Sequence, residues 1–206
     1  MEPNDLKLEA LRSEKTLVVI KPDGVLRQLV GELINRFERK GLKLVALKML
    51  WPSKDLVEKH YTDSEAWLKS NGDRTYNAYI EKGITPNLTS REFALRTRTK
   101  LMSSMTAGPV VAFVLEGAHA IQIVRKMRGA TSPLLADVGT IGFDYSMDSY
   151  EVSDLGNWAT RNIIHASDAD AAEDEIKLWF KDEEIMKYES PTDTILYSKD
   201  WKVKKN

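Results

Sequence analysis

Thr16-Leu17-Val18-Val19-Ile20-Lys21-Pro22-Asp23-Gly24 is the stretch on which the fold turns. It begins with an apolar, β-branched run, and Lys21-Pro22-Asp23-Gly24 closes that run at once, which reads as a buried strand ending in a turn. Beyond the turn, Val30, Leu33, Ile34 and Phe37 recur at helical spacing with Glu32, Arg36, Glu38 and Arg39 between them, so a core-facing amphipathic helix runs as far as Gly41. Residues 42–50 then alternate well enough for a half-exposed strand. The chain therefore opens β-α-β.

Working outward, the pattern repeats. Pro109-Val110-Val111-Ala112-Phe113-Val114-Leu115-Glu116-Gly117 is the strongest buried-strand signal, and Ala120, Val124 and Met127 carry it into an amphipathic helix ending at Gly129. Ile163-Ile164-His165 reads as a short strand ending in a titratable group. Ser167 is placed to cap a following helix on which Ala172, Ile176, Trp179 and Phe180 share a face. Ser53 is placed to cap another that runs through His60. Between Tyr61 and Gly108 the chain turns polar, and breakers at Asn71-Gly72, Gly83 and Pro86 predict short helices around 64–69, 74–81 and 89–105. Residues 130–162 read as a long functional loop, 194–201 as an edge strand and 202–206 as a solvated end. Strands interleaved with helices in this order, without repeat or linker, predict one α/β (α+β) domain over 1–206. Its expected form is a ferredoxin-like split βαβ sandwich with a four-stranded antiparallel sheet covered by helices.

Composition narrows the function. With 206 residues, 42% hydrophobic content, 11 Gly, 7 Pro and a net charge of -1, the chain is neither collagen-like nor low-complexity nor disordered. It has no cysteine, which excludes disulfides, thiolate nucleophiles and Cys-ligated metals and suits a reducing, cytoplasmic address. Charges throughout residues 1–15 argue against a signal peptide, and the apolar runs at 17–20 and 110–115 fall far short of the roughly 20 residues a bilayer crossing needs. A pI near 6.3 gives no overall attraction to nucleic acid or to an anionic membrane.

Chemistry-bearing residues cluster at strand and helix ends. Lys21 sits where a buried strand stops, a common ligand position in α/β sheets, although a lysine there is often just the first solvated residue. Arg125, Lys126 and Arg128 occupy the last turn of a helix, where they complement its dipole; Thr131 and Ser132 follow with hydroxyls, and that mixture also suits phosphate. No P-loop, dinucleotide fingerprint or His-Glu-x-x-His motif is present. Of the histidines, His60 and His119 read as surface groups. His165 differs: it ends a strand, is followed by Ala166-Ser167-Asp168 and has Glu175 on the next helix, so that one neighbour could bond one ring nitrogen while the other stays free to attack, although a lone histidine is more often a structural residue.

Taken together, Lys21-Pro22-Asp23-Gly24, Val30-Gly31-Glu32, His60-Tyr61, Gly108-Pro109-Val110-Val111, Glu116-Gly117, Gly139-Thr140-Ile141 and Asn162-Ile163-Ile164-His165-Ala166-Ser167-Asp168 resemble the nucleoside diphosphate kinase family from about residue 16 to 188. The resemblance implies ping-pong transfer of the γ-phosphate of a nucleoside triphosphate, typically ATP, to a nucleoside diphosphate through a phosphohistidine, with Mg²⁺ held mainly by the nucleotide phosphates. It implies that His165 is the phosphorylated nucleophile, that Glu175 holds its other nitrogen, and that Ser167 bonds near the phosphoryl group. Lys21 and Asn162 would contact ribose and phosphates, Tyr61 would stand beside Lys21, Arg125 and Thr131 would hold phosphates, and Leu101 would lie near the base. A homo-oligomer, hexameric or tetrameric, is implied as well.

Departures from the family accompany these matches. Insertions stand at about 62–100 and 143–159, and Gly142 occupies the place of a phosphate-binding arginine. Arg128, Arg91, Arg96 and Arg98 are candidates to replace it, and Phe93 or Tyr79 to replace the base-stacking aromatic. Such departures leave open a non-catalytic nucleotide-binding module. Nucleic-acid binding on the sheet is disfavoured, since basic and aromatic residues do not interleave on the strands.

Overall fold

The computed structural model describes residues 3–81, 83 and 85–197. In chain order it runs α1 (Pro3–Arg12), β1 (Lys15–Ile20), α2 (Pro22–Leu26), α3 (Val30–Arg39), β2 (Lys43–Leu50), α4 (Lys54–His60), α5 (Glu65–Glu81), α6 (Ser90–Thr106), β3 (Val110–Glu116), α7 (Ala120–Arg128), α8 (Ile141–Tyr145), α9 (Tyr150–Leu155), β4 (Ile164–Ala166), α10 (Ala172–Trp179) and α11 (Pro191–Tyr197). The four strands pair in the order β2-β3-β1-β4, every pair antiparallel, which is the ferredoxin-like sheet expected from the β-α-β rhythm.

Helices cover both faces, so β1 and β3 are buried through almost their whole length and read as unbroken apolar runs. Alternation sorts their side chains into two layers. Val18, Ile20, Phe113 and Leu115 pack against Leu33 and Phe37 of α3 and Val124 of α7. Leu17, Val19, Ala112 and Val114 pack on the other side against Val57 and Tyr61, Met105 of α6, and Trp179 and Phe180. In β4, Ile164 and Ala166 belong to the first layer. His165 between them, paired with Val19, is therefore turned to the face carrying α4 and α10.

Four expectations are corrected. The helices expected at 64–69 and 74–81 are one helix, α5, which passes straight through Asn71-Gly72. Gly72 is a packing residue there: a Cβ on it would stand 2.0 Å from the Ser90 carbonyl oxygen at the start of α6. The stretch 130–162 is not a plain loop but carries α8 and α9, capped by Thr140 and Ser149, whose hydroxyls accept from the amides of Phe143 and Val152. Ser167 does not cap α10, whose N-cap is Ala171 without a side-chain bond. In the tail, residues 194–197 belong to helix α11 rather than to an edge strand; the rest of that expectation, and the solvated end at 202–206, lie outside the described residues. Among the described residues no helix is long and apolar enough to cross a membrane.

Candidate active site

The site is organised by what happens where β1 stops. Lys21 follows Ile20, Pro22 opens α2, and the Lys21 amide donates to the Ile163 carbonyl at 2.8 Å. Across from it Ile163 adopts φ +70°, and the Ile164 amide donates to the Asn162 carbonyl at 2.7 Å. That closes a three-residue γ-turn around a β-branched residue, a strained arrangement that persists only when its surroundings impose it. Asp23 and Gly24 impose it. Asp23 Oδ2 accepts from the Ile163 amide at 3.1 Å, while a Cβ on Gly24 would lie 2.7 Å from Ile20 Cγ2 and 3.0 Å from Ile163 Cγ2. Lys-Pro-Asp-Gly is thus the mould for the turn that presents Asn162 and His165.

His165 Nε2 stands 2.8 Å from Glu175 Oε2, and the Ser167 hydroxyl donates to the same carboxylate oxygen. Glu175 arrives on the first turn of α10. Burial works to raise its carboxyl, but the His165 imidazole, with His60 and the Ser167 hydroxyl, outweighs burial and holds it down to about 2. An ionised Glu175 keeps a proton on Nε2 and leaves the lone pair of the neutral ring on Nδ1.

A second chain of bonds lies alongside. Lys21 Nζ donates to Asn162 Oδ1 at 2.7 Å, and Asn162 Nδ2 donates to the Thr131 carbonyl at 2.8 Å. Thr131 Oγ1 in turn accepts from Arg128 Nη2 at 3.0 Å. Far from being a solvated lysine, Lys21 is only 7% exposed. Burial brings its ammonium down to about 8, against the support of Asp23 and with the help of nearby Arg128. Arg125 is paired with Asp168. Tyr61 is buried on the second core layer, its ring 4.7 Å from that of His60. Burial, with the Glu175 and Asp23 charges, pushes its phenol up, so it stays neutral. Leu101 sits half-buried on α6 against the same layer.

His60 overturns its reading as a surface group. Its side chain is fully buried and its ring meets that of His165 edge-on at 4.4 Å. Trp179 Nε1 donates to His60 Nδ1 at 3.2 Å, so the proton is on Nε2, which has no partner among the described residues. Burial, with His165 and Lys21 near, brings His60 down to about 3. Its 3.8 Å approach to Glu175 is therefore contact with a neutral ring, not an ion pair. The only warning in the sequence is that α4 ends between Val57 and Tyr61, both of which face the core. His119 is exposed, as expected.

Phe93 and Tyr79 stack on each other at 5.3 Å inside the α5–α6 hairpin, and Phe93 is 6% exposed, so neither ring stands free as a platform for a base. The three arginines of the insert considered as replacements are engaged too: Arg91 with Glu65, Arg96 with Asn157, and Arg98 with the carbonyls of Tyr61 and Glu58.

A ferredoxin-like sheet that presents a carboxylate-held histidine beside a cluster of cations marks an enzyme that moves phosphoryl groups through an imidazole. The sequence profile described as Nucleoside diphosphate kinase matches residues 14–76 and 94–185. A nucleoside diphosphate kinase of Pyrobaculum aerophilum is 45% identical over 179 residues, covering 84% of this chain and 98% of the relative. One of Pyrococcus abyssi is 45% identical over 176 residues, covering 85% and 89%. Among solved structures, an NDP kinase from Pyrobaculum aerophilum superposes with a TM-score of 0.81 at 44% identity, covering 85% of this chain and all of that one. A nucleoside-diphosphate kinase from Borrelia burgdorferi, captured as a transition state mimic with vanadate and ADP, does so with a TM-score of 0.72 at 37% identity, covering 88% and 95%. The chain belongs to the nucleoside diphosphate kinase family.

Proposed function

We infer that this chain passes the γ-phosphoryl group of a nucleoside triphosphate, typically ATP, to a nucleoside diphosphate by way of phosphorylated His165. One observation carries the assignment of the nucleophile: Glu175 holds Nε2 at 2.8 Å, which leaves Nδ1 as the free nitrogen. In the first half-reaction the Nδ1 lone pair attacks the γ-phosphorus. The Nδ1–P bond forms, the bond to the β–γ bridging oxygen breaks, and the nucleoside diphosphate leaves with that electron pair. In the second, a phosphate oxygen of another diphosphate attacks the same phosphorus and the N–P bond breaks. Glu175 meets the positive charge the imidazole acquires while it carries the group, and Ser167 fixes the carboxylate. Lys21 supplies charge to the phosphates, steadied through Asn162, while Arg125 and Thr131 stand at the α7 terminus to hold the phosphate tail. Tyr61 walls the lysine, and Leu101 offers an apolar contact to the base.

Mg²⁺ fits this reading as a passenger of the nucleotide. The cluster His60, His165 and Glu175 offers mostly nitrogen and its carboxylate is already bonded, whereas Mg²⁺ takes oxygen ligands and retains water. Phosphate oxygens and water would hold it and it would neutralise their charge. Leu47, Met49 and Trp51, at 51%, 63% and 67% exposure along the edge strand β2 and just after it, support a homo-oligomer, hexameric or tetrameric, that covers them. The cysteine-free composition suits the cytoplasm.

Incubation with γ-labelled ATP tests the reading. An acid-labile, base-stable phosphoprotein is expected, together with exchange onto a second diphosphate, and both should vanish in His165→Asn. A folded wild type that binds ADP yet takes no label would be a non-catalytic nucleotide-binding module instead.

A further inference from the structure

We propose that Arg128 is a phosphate-binding residue of this chain, its guanidinium joining Lys21 and Arg125 around the phosphate tail of the bound nucleotide. The proposal rests on the kinase reading above and names a residue beyond it. Arg128 closes α7, and Gly129, at φ +83°, turns the chain so that Thr131 comes back beside it. Its Nη2 donates to Thr131 Oγ1 at 3.0 Å and its Nε to the Gly129 carbonyl at 3.2 Å, and both acceptors are neutral. Asp168, the carboxylate near enough to act on it, is already paired with Arg125. Burial and the neighbouring cations Arg125 and Arg74 all work against its charge. A guanidinium nevertheless keeps that charge at any working pH, so the free protein holds an undercompensated, partly buried cation.

An anion arriving between Arg128, Arg125 and Lys21 would relieve that repulsion. Thr131, bonded to Arg128 through its hydroxyl and to Asn162 through its carbonyl, links Arg128 by hydrogen bonds to the Asn162–Lys21 pair. The planar fork of a guanidinium suits two phosphate oxygens at once. Arg128 would then meet the negative charge gathering on the departing diphosphate as the bridging P–O bond breaks. Gly142 belongs to the same arrangement, since a Cβ there would stand 3.1 Å from the Arg128 carbonyl and 3.4 Å from that of Ala130. The residue that lacks a side chain is the one that lets α8 settle against the turn bearing Arg128.

Wild type, Arg128→Met and Arg128→Lys should be compared for ADP and adenosine affinity by calorimetry, and for the single-turnover rate of His165 phosphorylation. Arg128→Met is expected to lose roughly 10²-fold in ADP affinity or phosphorylation rate with adenosine affinity unchanged, and Arg128→Lys to recover part of that loss. A second measurement needs no variant: a dicarbonyl reagent mapped by mass spectrometry should modify Arg128 less when ADP is bound, while exposed Arg39 reacts equally with and without it. Unchanged ADP affinity and rate in a folded Arg128→Met protein, or modification of Arg128 indifferent to ADP, overturns the proposal. Either result leaves the kinase reading standing as long as wild-type His165 takes label; a wild type that never labels overturns that reading instead.

Discussion

Asp23 is the residue on which the presentation of the histidine can be tested most sharply, because its carboxylate serves as hydrogen-bond acceptor and as charge. As an acceptor it satisfies the buried Ile163 amide at 3.1 Å and holds the γ-turn closed. As a charge it supports the protonated form of Lys21. Asp23→Ala removes both. It strands a buried N–H, which costs about 1–3 kcal/mol, and a domain of this size loses roughly 2–4 °C in melting temperature per kcal/mol. Asp23→Asn keeps an acceptor oxygen in the same place and removes only the charge. Its melting temperature should stay close to wild type while the Lys21 ammonium, already down to about 8, falls further. Thermal melts and the pH dependence of phosphohistidine formation separate the two roles: the alanine variant should melt lower, and the asparagine variant should lose activity at a lower pH on the alkaline side. If Asp23→Asn melts as low as Asp23→Ala, the hydrogen bond is not what holds the turn. An alkaline limb unmoved from wild type would refute the electrostatic half of the argument.

Two further outcomes follow from the same geometry. Lys21 has a lowered folded value, near 8, against an ordinary value of 10.5, so between those values the unfolded chain holds a proton the folded chain has given up. Lys21 therefore contributes stability that rises with pH across that window, by no more than about 3 kcal/mol, while phosphate binding weakens; denaturant melts at pH 7 to 10 should show this slope in wild type and lose it in Lys21→Met. Gly72→Ala should destabilise the chain by roughly 1–3 kcal/mol in urea melts, because its Cβ would meet backbone at 2.0 Å and force α5 away from α6; an unchanged midpoint would mean the two helices part freely.

The elements that could be read in advance were those whose patterning has one solution. β1, β3, α3 and α7 carry unbroken apolar runs or full helical stripes, and burial on both faces of the sheet is what those patterns describe. Elsewhere the same residue types serve tertiary ends. Gly72 looks like a breaker and is a close-packing point, and Ser167 looks like a helix cap but spends its hydroxyl on Glu175. The caps Thr140 and Ser149 were available as signals for α8 and α9, yet helices of one turn carry too little periodicity to stand out. Pro191 at the start of α11 was likewise the better guide to the tail than its β-branched residues. In the site, Lys21 bonds Asn162, and His165 and Ser167 both meet Glu175. The burial of His60 and the grip of Asp23 on Ile163 depend on contacts between segments more than 100 residues apart, which no local pattern encodes.

Two imidazoles lie face to edge at the heart of this enzyme, and only one of them can accept cargo. The inner ring has one nitrogen occupied by an indole and the other capped by its own proton and shut away from water, so it has no electron pair to offer. A phosphoryl group parked on the outer ring therefore has no neighbouring imidazole to wander to. Tying down the spare histidine makes the relay a one-address delivery, and fidelity of hand-over comes from the wall behind the nucleophile as much as from the nucleophile itself.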